Sequence, residues 1–272
     1  MSNSVNWRRV WEEKSRVSLS DFELDRGTSP RQQEIERLSE EELLNFIEPR
    51  EFERVLDAGC GTGVNVLRLH SRVRSIMAFD YSTGSVERCR TRARTEDIKN
   101  AHLCVASISA IPLPERSVDK VLCLSVFQYM DDQEVRQALR EFIRVLTPGG
   151  VIVLHVKNLS SLYWLTLRIL KRLKVLLGMD TRIEHLRSFR WYVYELTALD
   201  CRVLDYNSFN FLAIDGMPKR VLSAIQRFEL THHGEPLFKA PFLRRHGAEL
   251  KIKARVAGRF APGSFDLPSV KR

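Results

Sequence analysis

The sequence lacks the features of a membrane-spanning or disulfide-linked protein. Across its 272 residues no apolar run approaches the roughly 18 residues that a membrane-spanning helix needs. The opening residues M-S-N-S-V-N-W-R-R contain no apolar signal region, so a cytoplasmic location is the default expectation. The five cysteines include no C-x-x-C pair, which favours free thiols in a reducing compartment over disulfides or a zinc site.

Two common nucleotide-binding motifs are also missing. The phosphate-loop motif needs Gly-Lys followed by Ser or Thr, and no such run occurs. The dinucleotide fingerprint G-x-G-x-x-G needs its third glycine at position 64, where this chain has Val64. A phosphate-loop nucleoside triphosphatase and a typical nicotinamide-dependent dehydrogenase are therefore excluded.

The charge is positive overall and unevenly distributed. The net charge is +9, yet residues 1–50 carry 8 basic against 11 acidic side chains. Residues 216–272 carry 12 basic against 4 acidic side chains. This basic region is compatible with nucleic acid, anionic lipid or a phosphorylated substrate, and equally with a solvated basic surface that has no partner.

The most informative stretch is V-L-D-A-G-C-G-T-G at residues 55–63. Two apolar residues indicate the end of a buried strand, an acid follows, and three glycines then alternate with other residues. Glycine permits a sharp turn and a close approach of a ligand to the backbone. A helical pattern follows at once, so the glycines are expected to form a strand-to-helix turn, where open α/β sheets bind ligands.

The spacing D-x-G-x-G-x-G resembles motif I of the class I S-adenosylmethionine-dependent methyltransferases, in particular the small-molecule type. The resemblance implies that Asp57 serves the amino end of the cofactor's methionine part. It further implies that Gly59, Cys60 and Gly61 let the cofactor lie on bare backbone.

Later motifs of the same family follow in order, so that the resemblance covers residues 55–157. Asp80 ends the second predicted strand about 20 residues after the glycine turn, where a carboxylate holds a ribose, and Tyr81 is expected to lie against the adenine. The segment S-I-S-A-I-P-L-P-E-R-S-V-D-K-V-L resembles a family phrase in which an acid contacts adenine. Ser107 stands in the place of that acid, so either its hydroxyl or the backbone of Ile108 is expected to make the contact.

The resemblance implies an α/β fold of Rossmann-like type. Its sheet would have seven mostly parallel strands in the order 3-2-1-4-5-7-6, with the last strand antiparallel and helices on both faces. The expected divisions are a cap or lid at 1–50, with a helix at 36–47; the cofactor-binding core at 51–157; a helical insert over the acceptor pocket at 158–190; a part completing the sheet at 191–257; and a flexible tail at 258–272.

Acceptor-side residues are expected in the loops at the carboxyl ends of the strands. His185 is the best candidate for a base, because histidine titrates near working pH, and Tyr129 is the second catalytic candidate. Gln128 and Arg187 are predicted to contact the substrate, although Arg187 could instead hold its own loop. His155 lies inside a predicted strand, which favours a structural role. The remaining candidates are Ser125 on the cofactor side and Lys157 and Asn158 after strand five.

The sequence thus predicts a methyltransferase that uses S-adenosylmethionine to methylate an oxygen or nitrogen of a small molecule, such as a natural-product, sugar or lipid-linked intermediate. Two alternatives remain: an RNA methyltransferase, because of the basic C-terminal region, and a non-catalytic scaffold that binds the cofactor. The basic amphipathic stretch at 160–178 adds a possible peripheral membrane contact. No Asn/Asp-Pro-Pro-aromatic motif, Pro-Cys dipeptide or clustered acid set occurs, which argues against amino-adenine, cytosine-carbon and metal-dependent catechol methylation.

Overall fold

A computed structural model describes residues 7–16, 30–161, 164, 185–209, 219–232 and 243–257 of the chain. Within these residues no helix is both long enough and apolar enough to cross a membrane. Most of the basic stretch at 160–178 and all of the tail at 258–272 lie outside them, so the predictions of membrane contact and of a flexible tail concern residues beyond the described part.

A single seven-stranded sheet organises the molecule, with strands in the order 3-2-1-4-5-7-6. Strands 1 to 5 pair in parallel, and the seventh is antiparallel to both of its neighbours, the fifth and the sixth, so six strands share one direction. This topology confirms the predicted fold. The strands are β1 Arg54–Ala58, β2 Ser75–Asp80, β3 Ala101–Val105, β4 Val118–Leu124, β5 Leu146–Lys157, β6 Cys201–Phe209 and β7 Glu249–Val256.

Helices cover both faces of this sheet. One hydrophobic cluster includes Phe142 and Leu196 from two helices on one face, and a second includes Ile47 and Val66 from two helices on the other. Both faces are buried, as expected for a mostly parallel sheet. The helices are α1 Trp7–Arg16, α2 Pro30–Ile47, α3 Val64–Leu69, α4 Thr83–Thr95, α5 Asp132–Val145, α6 Phe189–Ala198, α7 Lys219–His232 and the short α8 Leu243–His246, with 3₁₀ turns at His70–Arg72 and Phe127–Tyr129.

Element boundaries follow the local sequence signals closely. α5 begins with a capping box, in which Asp131 accepts from the Glu134 amide at 2.9 Å and Glu134 accepts from the Asp131 amide at 2.7 Å. The Pro-Gly-Gly phrase that follows does not form a separate turn. It lies in the first part of β5, where the register with β4 shifts, and Gly149 has a positive φ of 79°.

β7 alternates charged and apolar residues, and the structure buries both faces over most of its length. Lys251 and Lys253 are 2% and 7% exposed, because α2 lies over them. Lys251 contacts Glu42, and Lys253 Nζ lies 3.1 Å from Glu48. The two lysines of this strand therefore face acidic side chains of α2 and of the residue that follows it, rather than solvent.

Candidate functional site

The glycine turn between β1 and α3 forms the base of the site. The sheet order reverses direction between β1 and β4, which is where open α/β sheets bind their ligands. Gly59 and Gly61 have φ values of 82° and 52°, a region that only glycine enters without strain. A Cβ on Gly59 would lie 2.4 Å from Cγ2 of Val126, so the loop after β4 packs directly against the turn.

Gly61 faces open space. A Cβ built on it would meet no protein atom within 4 Å among the described residues. Its amide donates to Asp80 Oδ2 at 3.0 Å, and the amide of Ser82 donates to Asp80 Oδ1 at 2.9 Å. The structure therefore brings the predicted ribose ligand against the predicted cofactor turn. Burial raises the pKa of Asp80, and these backbone donors, with that of Tyr81, oppose the rise.

Asp57 is the most unusual group in the turn. It is 1% exposed, and neither carboxylate oxygen has a hydrogen-bond partner in the described part of the chain. Burial raises its pKa to about 7, the nearby Asn65 amide opposes the rise, and the charge of Asp80 adds to it. A buried carboxylate without donors is costly, so this position is suited to a ligand that brings a positively charged donor.

The end of β3 extends the site beside Asp80. The amide of Ala106 donates to the Asp80 carbonyl at 3.1 Å, which places the next residue, Ser107, at the same edge of the sheet. Ser107 is exposed, and its hydroxyl accepts from the Ser109 amide at 3.2 Å. Ile108 is half-buried and packs against the core. Adenine recognition by Ser107 or Ile108 remains a prediction that this geometry permits.

The loop after β4 carries the predicted acceptor-side residues Gln128 and Tyr129. Ser125 follows the strand with a positive φ of 62°, which is uncommon for a residue other than glycine. Gln128 is 3% exposed; its Nε2 donates to the Ser125 carbonyl at 2.7 Å, while its Oε1 is buried with no partner among the described residues. Tyr129 is half-buried at the end of the 3₁₀ turn. The two substrate-side candidates of this loop thus lie beside the glycine turn.

Helix α1 lies over this edge of the sheet. The rings of Trp11 and Tyr129 meet edge to face with centroids 5.5 Å apart. The Ser82 hydroxyl donates to Glu12 Oε2 at 2.9 Å, so α1 also contacts the residue two positions after Asp80, the predicted ribose ligand. The predicted cap role of the N-terminal segment stays a prediction; the structure shows that α1 contacts the loop after β4 and the residues after β2.

Arg187 occupies a structural position. Its side chain is 3% exposed and donates from Nε to Asp132 Oδ1 at 2.7 Å. Its terminal nitrogens donate to the carbonyls of Phe127 at 2.9 Å, Met130 at 2.7 Å and His185 at 3.2 Å. These contacts hold the loop after β4, which is the second role that the sequence offers for Arg187. Contact of Arg187 with a substrate stays a prediction.

His185 lies at the rim of the same loop. Its amide donates to the Gln128 carbonyl at 2.9 Å, and the residue is exposed. The residues on its N-terminal side, 165–184, lie outside the described part of the chain. A catalytic role for His185 therefore remains a prediction.

Sequence reasoning missed a polar group at the ends of β4, β5 and β7. His155 Nε2 lies 2.9 Å from Glu249 Oε2, and His155 Nδ1 lies 3.3 Å from the Ser125 hydroxyl. The sequence signal was weak: Ser125 directly follows β4, His155 lies near the end of β5, and Glu249 is the first residue of β7. Asn158, another loop candidate, is fully buried and donates to the carbonyls of Arg245 and Gly247, so it joins β5 to the β7 side of the sheet.

All five cysteines lie in described segments and carry free thiols. Across the described residues, no group of three His, Cys, Asp or Glu side chains is arranged to hold a metal ion.

Known proteins share this turn and this fold. Residues 55–150 match a family described as a methyltransferase domain. The chain is 35% identical over 104 residues to a probable S-adenosylmethionine-dependent methyltransferase of Mycolicibacterium smegmatis. The matched region covers 38% of each of the two proteins. It is 32% identical over 122 residues to a malonyl-acyl-carrier-protein O-methyltransferase of Serratia marcescens. This matched region covers 45% of each of the two proteins. The chain thus matches less than half of the length of these relatives.

Among solved structures, phosphoethanolamine N-methyltransferase 1 of Haemonchus contortus, in complex with phosphoethanolamine and S-adenosylhomocysteine, has the same fold. The TM-score is 0.63 at 16% identity, over 95% of this chain and 50% of that one.

The fold is Rossmann-like, and residues 55–150 match a methyltransferase domain, as the motif resemblance predicted. The similar protein of Mycolicibacterium smegmatis is named as S-adenosylmethionine-dependent, which supports S-adenosylmethionine as the cofactor of this domain.

Proposed function

We propose that the protein transfers a methyl group from S-adenosylmethionine to an oxygen or nitrogen of a small molecule. The observation that carries this proposal is the buried, unpartnered carboxylate of Asp57 beside the open face of Gly61. A ligand that carries an ammonium group and lies on the glycine turn would meet both features.

The residues present fit the cofactor. Asp57 would accept from the ammonium of the methionine part, and Asp80 would accept from the ribose hydroxyls while it keeps its bonds to Gly61 and Ser82. The open face of Gly61 would lie against the ligand without a Cβ between them.

The bound cofactor supplies an activated methyl group on an excellent leaving group. The chain's task is then to align the acceptor in line with that group and to keep water away. The loop after β4 is suited to this task, since Arg187 holds its carbonyls and Gln128 presents a buried oxygen with no partner in the described structure. That oxygen would accept from a hydroxyl or amine of the acceptor.

Two lines of support favour a small acceptor. Two similar proteins are named for malonyl-acyl-carrier-protein and phosphoethanolamine, and neither name refers to a nucleic acid. Helix α1 also covers the edge where the acceptor would lie, through the contacts of Trp11 with Tyr129 and of Glu12 with Ser82. A covered edge suits a small group better than a long strand of RNA.

The alternative of an RNA methyltransferase has less support, because several of its basic residues bond within the protein. Lys251 and Lys253 lie buried under α2. Arg244 contacts both the carboxylate of Asp205 and the carbonyl of Tyr206. These residues are not part of an exposed basic face.

The test is methyl transfer from cofactor that carries a labelled methyl group, with fractionated cell extract as the source of acceptor. We expect label in a fraction of small molecules, blocked by S-adenosylhomocysteine and lost in Asp80→Asn. Label in precipitated RNA, with RNA binding that weakens steeply as salt rises, would favour the RNA alternative instead. Cofactor binding without label in any fraction would leave the scaffold alternative and refute the proposal.

A further inference from the structure

Three polar side chains meet at the edge of the sheet where the acceptor is proposed to bind. Two belong to β5 and β7, and the third belongs to the residue directly after β4. Ser125 comes directly after β4, His155 lies near the end of β5, and Glu249 begins β7. Ser125 Oγ is 3.3 Å from His155 Nδ1, and His155 Nε2 is 2.9 Å from Glu249 Oε2. The three form a continuous hydrogen-bonded line from carboxylate to hydroxyl.

Strand register explains why they meet. His155 pairs with Lys251 and Lys157 pairs with Glu249, so Glu249 is the diagonal neighbour of His155 on the same face of the sheet. On the other side, Leu124 pairs with His155, and the next residue, Ser125, donates its amide to the His155 carbonyl at 2.8 Å. The geometry is therefore set by the sheet rather than by flexible loops.

The line ends at the cofactor turn. Ser125 is exposed, and its neighbour Val126 is the residue that a Cβ on Gly59 would meet at 2.4 Å. Ser125 also keeps a left-handed backbone with φ 62°, and such strain in a residue other than glycine is concentrated at functional sites. The His155 side chain is 19% exposed, so it is sheltered but within reach of the site through the serine.

We propose that His155 is the general base of methyl transfer, that Ser125 relays the acceptor's proton to it, and that Glu249 positions its ring. This inference rests on the proposed methyl transfer to a hydroxyl or amine, and it adds the group that removes the proton.

The chemistry follows from the tautomer. A carboxylate can only accept, so Glu249 keeps the proton of the imidazole on Nε2 and leaves the lone pair of Nδ1 facing Ser125. Burial alone would raise the pKa of Glu249, but the hydrogen bond with His155 and the charges of His155 and Lys157 lower it, so the carboxylate is ionised. An ionised carboxylate also stabilises the imidazolium that forms.

The step balances. The acceptor oxygen forms a bond to the methyl carbon while the sulfur–carbon bond breaks and leaves its electron pair on sulfur. The acceptor's proton passes to the Ser125 oxygen, and the Ser125 proton passes to His155 Nδ1. The imidazolium returns its proton to solvent after the product leaves.

Other charged groups near the ring set the background for any pH effect. Lys251 is the register partner of His155, and Glu42 of α2 contacts that lysine. Lys157 lies two residues along β5 on the same face, opposite Glu249. β6 adds an uncharged ring, that of Phe209, with its centroid 6.2 Å from that of His155.

The first test uses the unaltered protein and does not need turnover. In nitrogen NMR of ¹⁵N-histidine-labelled protein, with His155→Gln to assign the signal, we expect His155 in the Nε2–H tautomer. We expect Glu249→Gln to disturb that preference. A neutral His155 with its proton on Nδ1 would overturn the proposal, because its lone pair would then face away from Ser125.

The second test is the dependence of rate on pH, with the acceptor found in the labelling experiment. We expect His155→Gln to lower kcat by roughly 10²- to 10⁴-fold with little change in KM, and to remove the loss of rate on the acid side. Glu249→Gln should also lower kcat, because the ring of His155 loses the carboxylate that positions it. The matched control is His102→Gln, at an exposed position on the edge strand β3, which should leave rate and profile unchanged.

The outcomes separate the two proposals. A His155→Gln protein that binds S-adenosylhomocysteine normally and keeps its rate and its acid limb would overturn the base and leave the methyltransferase proposal intact. Absence of transfer by the unaltered protein would refute the proposed function instead, and the tautomer measurement would then still decide whether the histidine is set up as a base.

Discussion

Asp57 should couple cofactor binding to proton release. Burial raises its pKa from 3.8 to about 7 in the free protein, which corresponds to about 4 kcal/mol of preference for the neutral form. An ammonium placed against the carboxylate would favour the charged form and lower this pKa again. At pH 6 the free protein would hold a proton on Asp57 in about nine molecules of ten, and binding would expel it.

The assay is calorimetry of S-adenosylhomocysteine binding at pH 6 in two buffers with different ionisation enthalpies. The dependence of the observed enthalpy on the buffer gives the number of protons released, which we expect to be about 0.9. Asp57→Asn has nearly the same shape and cannot ionise, so it should release none. At pH 8.5, where Asp57 is already charged, the unaltered protein should release almost none.

The same shift predicts the stability of the free protein. Because the pKa of Asp57 is higher in the folded than in the unfolded chain, its contribution is fully present below about pH 4 and is lost as the pH rises through 7, by up to about 4 kcal/mol. Asp57→Asn should therefore stabilise the free protein more at pH 8 than at pH 4 in urea unfolding. A heat of binding independent of the buffer at pH 6, together with equal effects of the variant on stability at both pH values, would refute the reasoning.

Three further predictions follow from the geometry. Asp80→Asn should weaken S-adenosylhomocysteine binding roughly 10- to 150-fold in calorimetry, since a bond to a charged acceptor contributes about 1.5–3 kcal/mol. Gly61→Ala should weaken it at least about tenfold, whereas Gly149→Ala, also at positive φ with open space around it, should only destabilise the fold by about 1–2 kcal/mol. Lys120→Ala should lower the free energy of urea unfolding by about 3–5 kcal/mol, because it leaves the buried carboxylate of Glu53, 2.7 Å away, without its cation.

Each of these has a contradicting result. Asp97→Asn is the control for Asp80, because it is an exposed acid at positive φ, where asparagine is well tolerated. Equal loss of affinity in both aspartate variants would contradict a ribose contact. Equal loss in both glycine variants would mean that backbone strain, not contact with the cofactor, is responsible. A Lys120→Ala protein as stable as the parent would show that solvent reaches Glu53.

Local residue spacing in the sequence was sufficient to predict the glycine turn and the acid at the end of β2. The turn from β1 to α3 is built by residues within nine positions of one another, and its glycines are required by backbone geometry that the sequence displays directly. Asp80 was recognisable because parallel strands bring their carboxyl ends to one edge. The resemblance to a known family supplied the strand order, which the sheet then confirmed.

Long-range pairing set the contacts around the loop after β4. The sequence offered two roles for Arg187, and only the fold shows that it donates to carbonyls 57 and 60 residues away in the chain. The sequence of β7 also does not reveal that Glu42 of α2, and Glu48 directly after it, contact the lysines of this strand.

By itself, then, the sequence determined the class of the protein, its cofactor and the residues of the glycine turn, because these depend on short-range spacing. Only the tertiary structure decided which polar residues meet at the ends of β4, β5 and β7. His155 and Glu249 lie 94 residues apart in the chain, and they become partners because an antiparallel strand register places them diagonally on one face of the sheet.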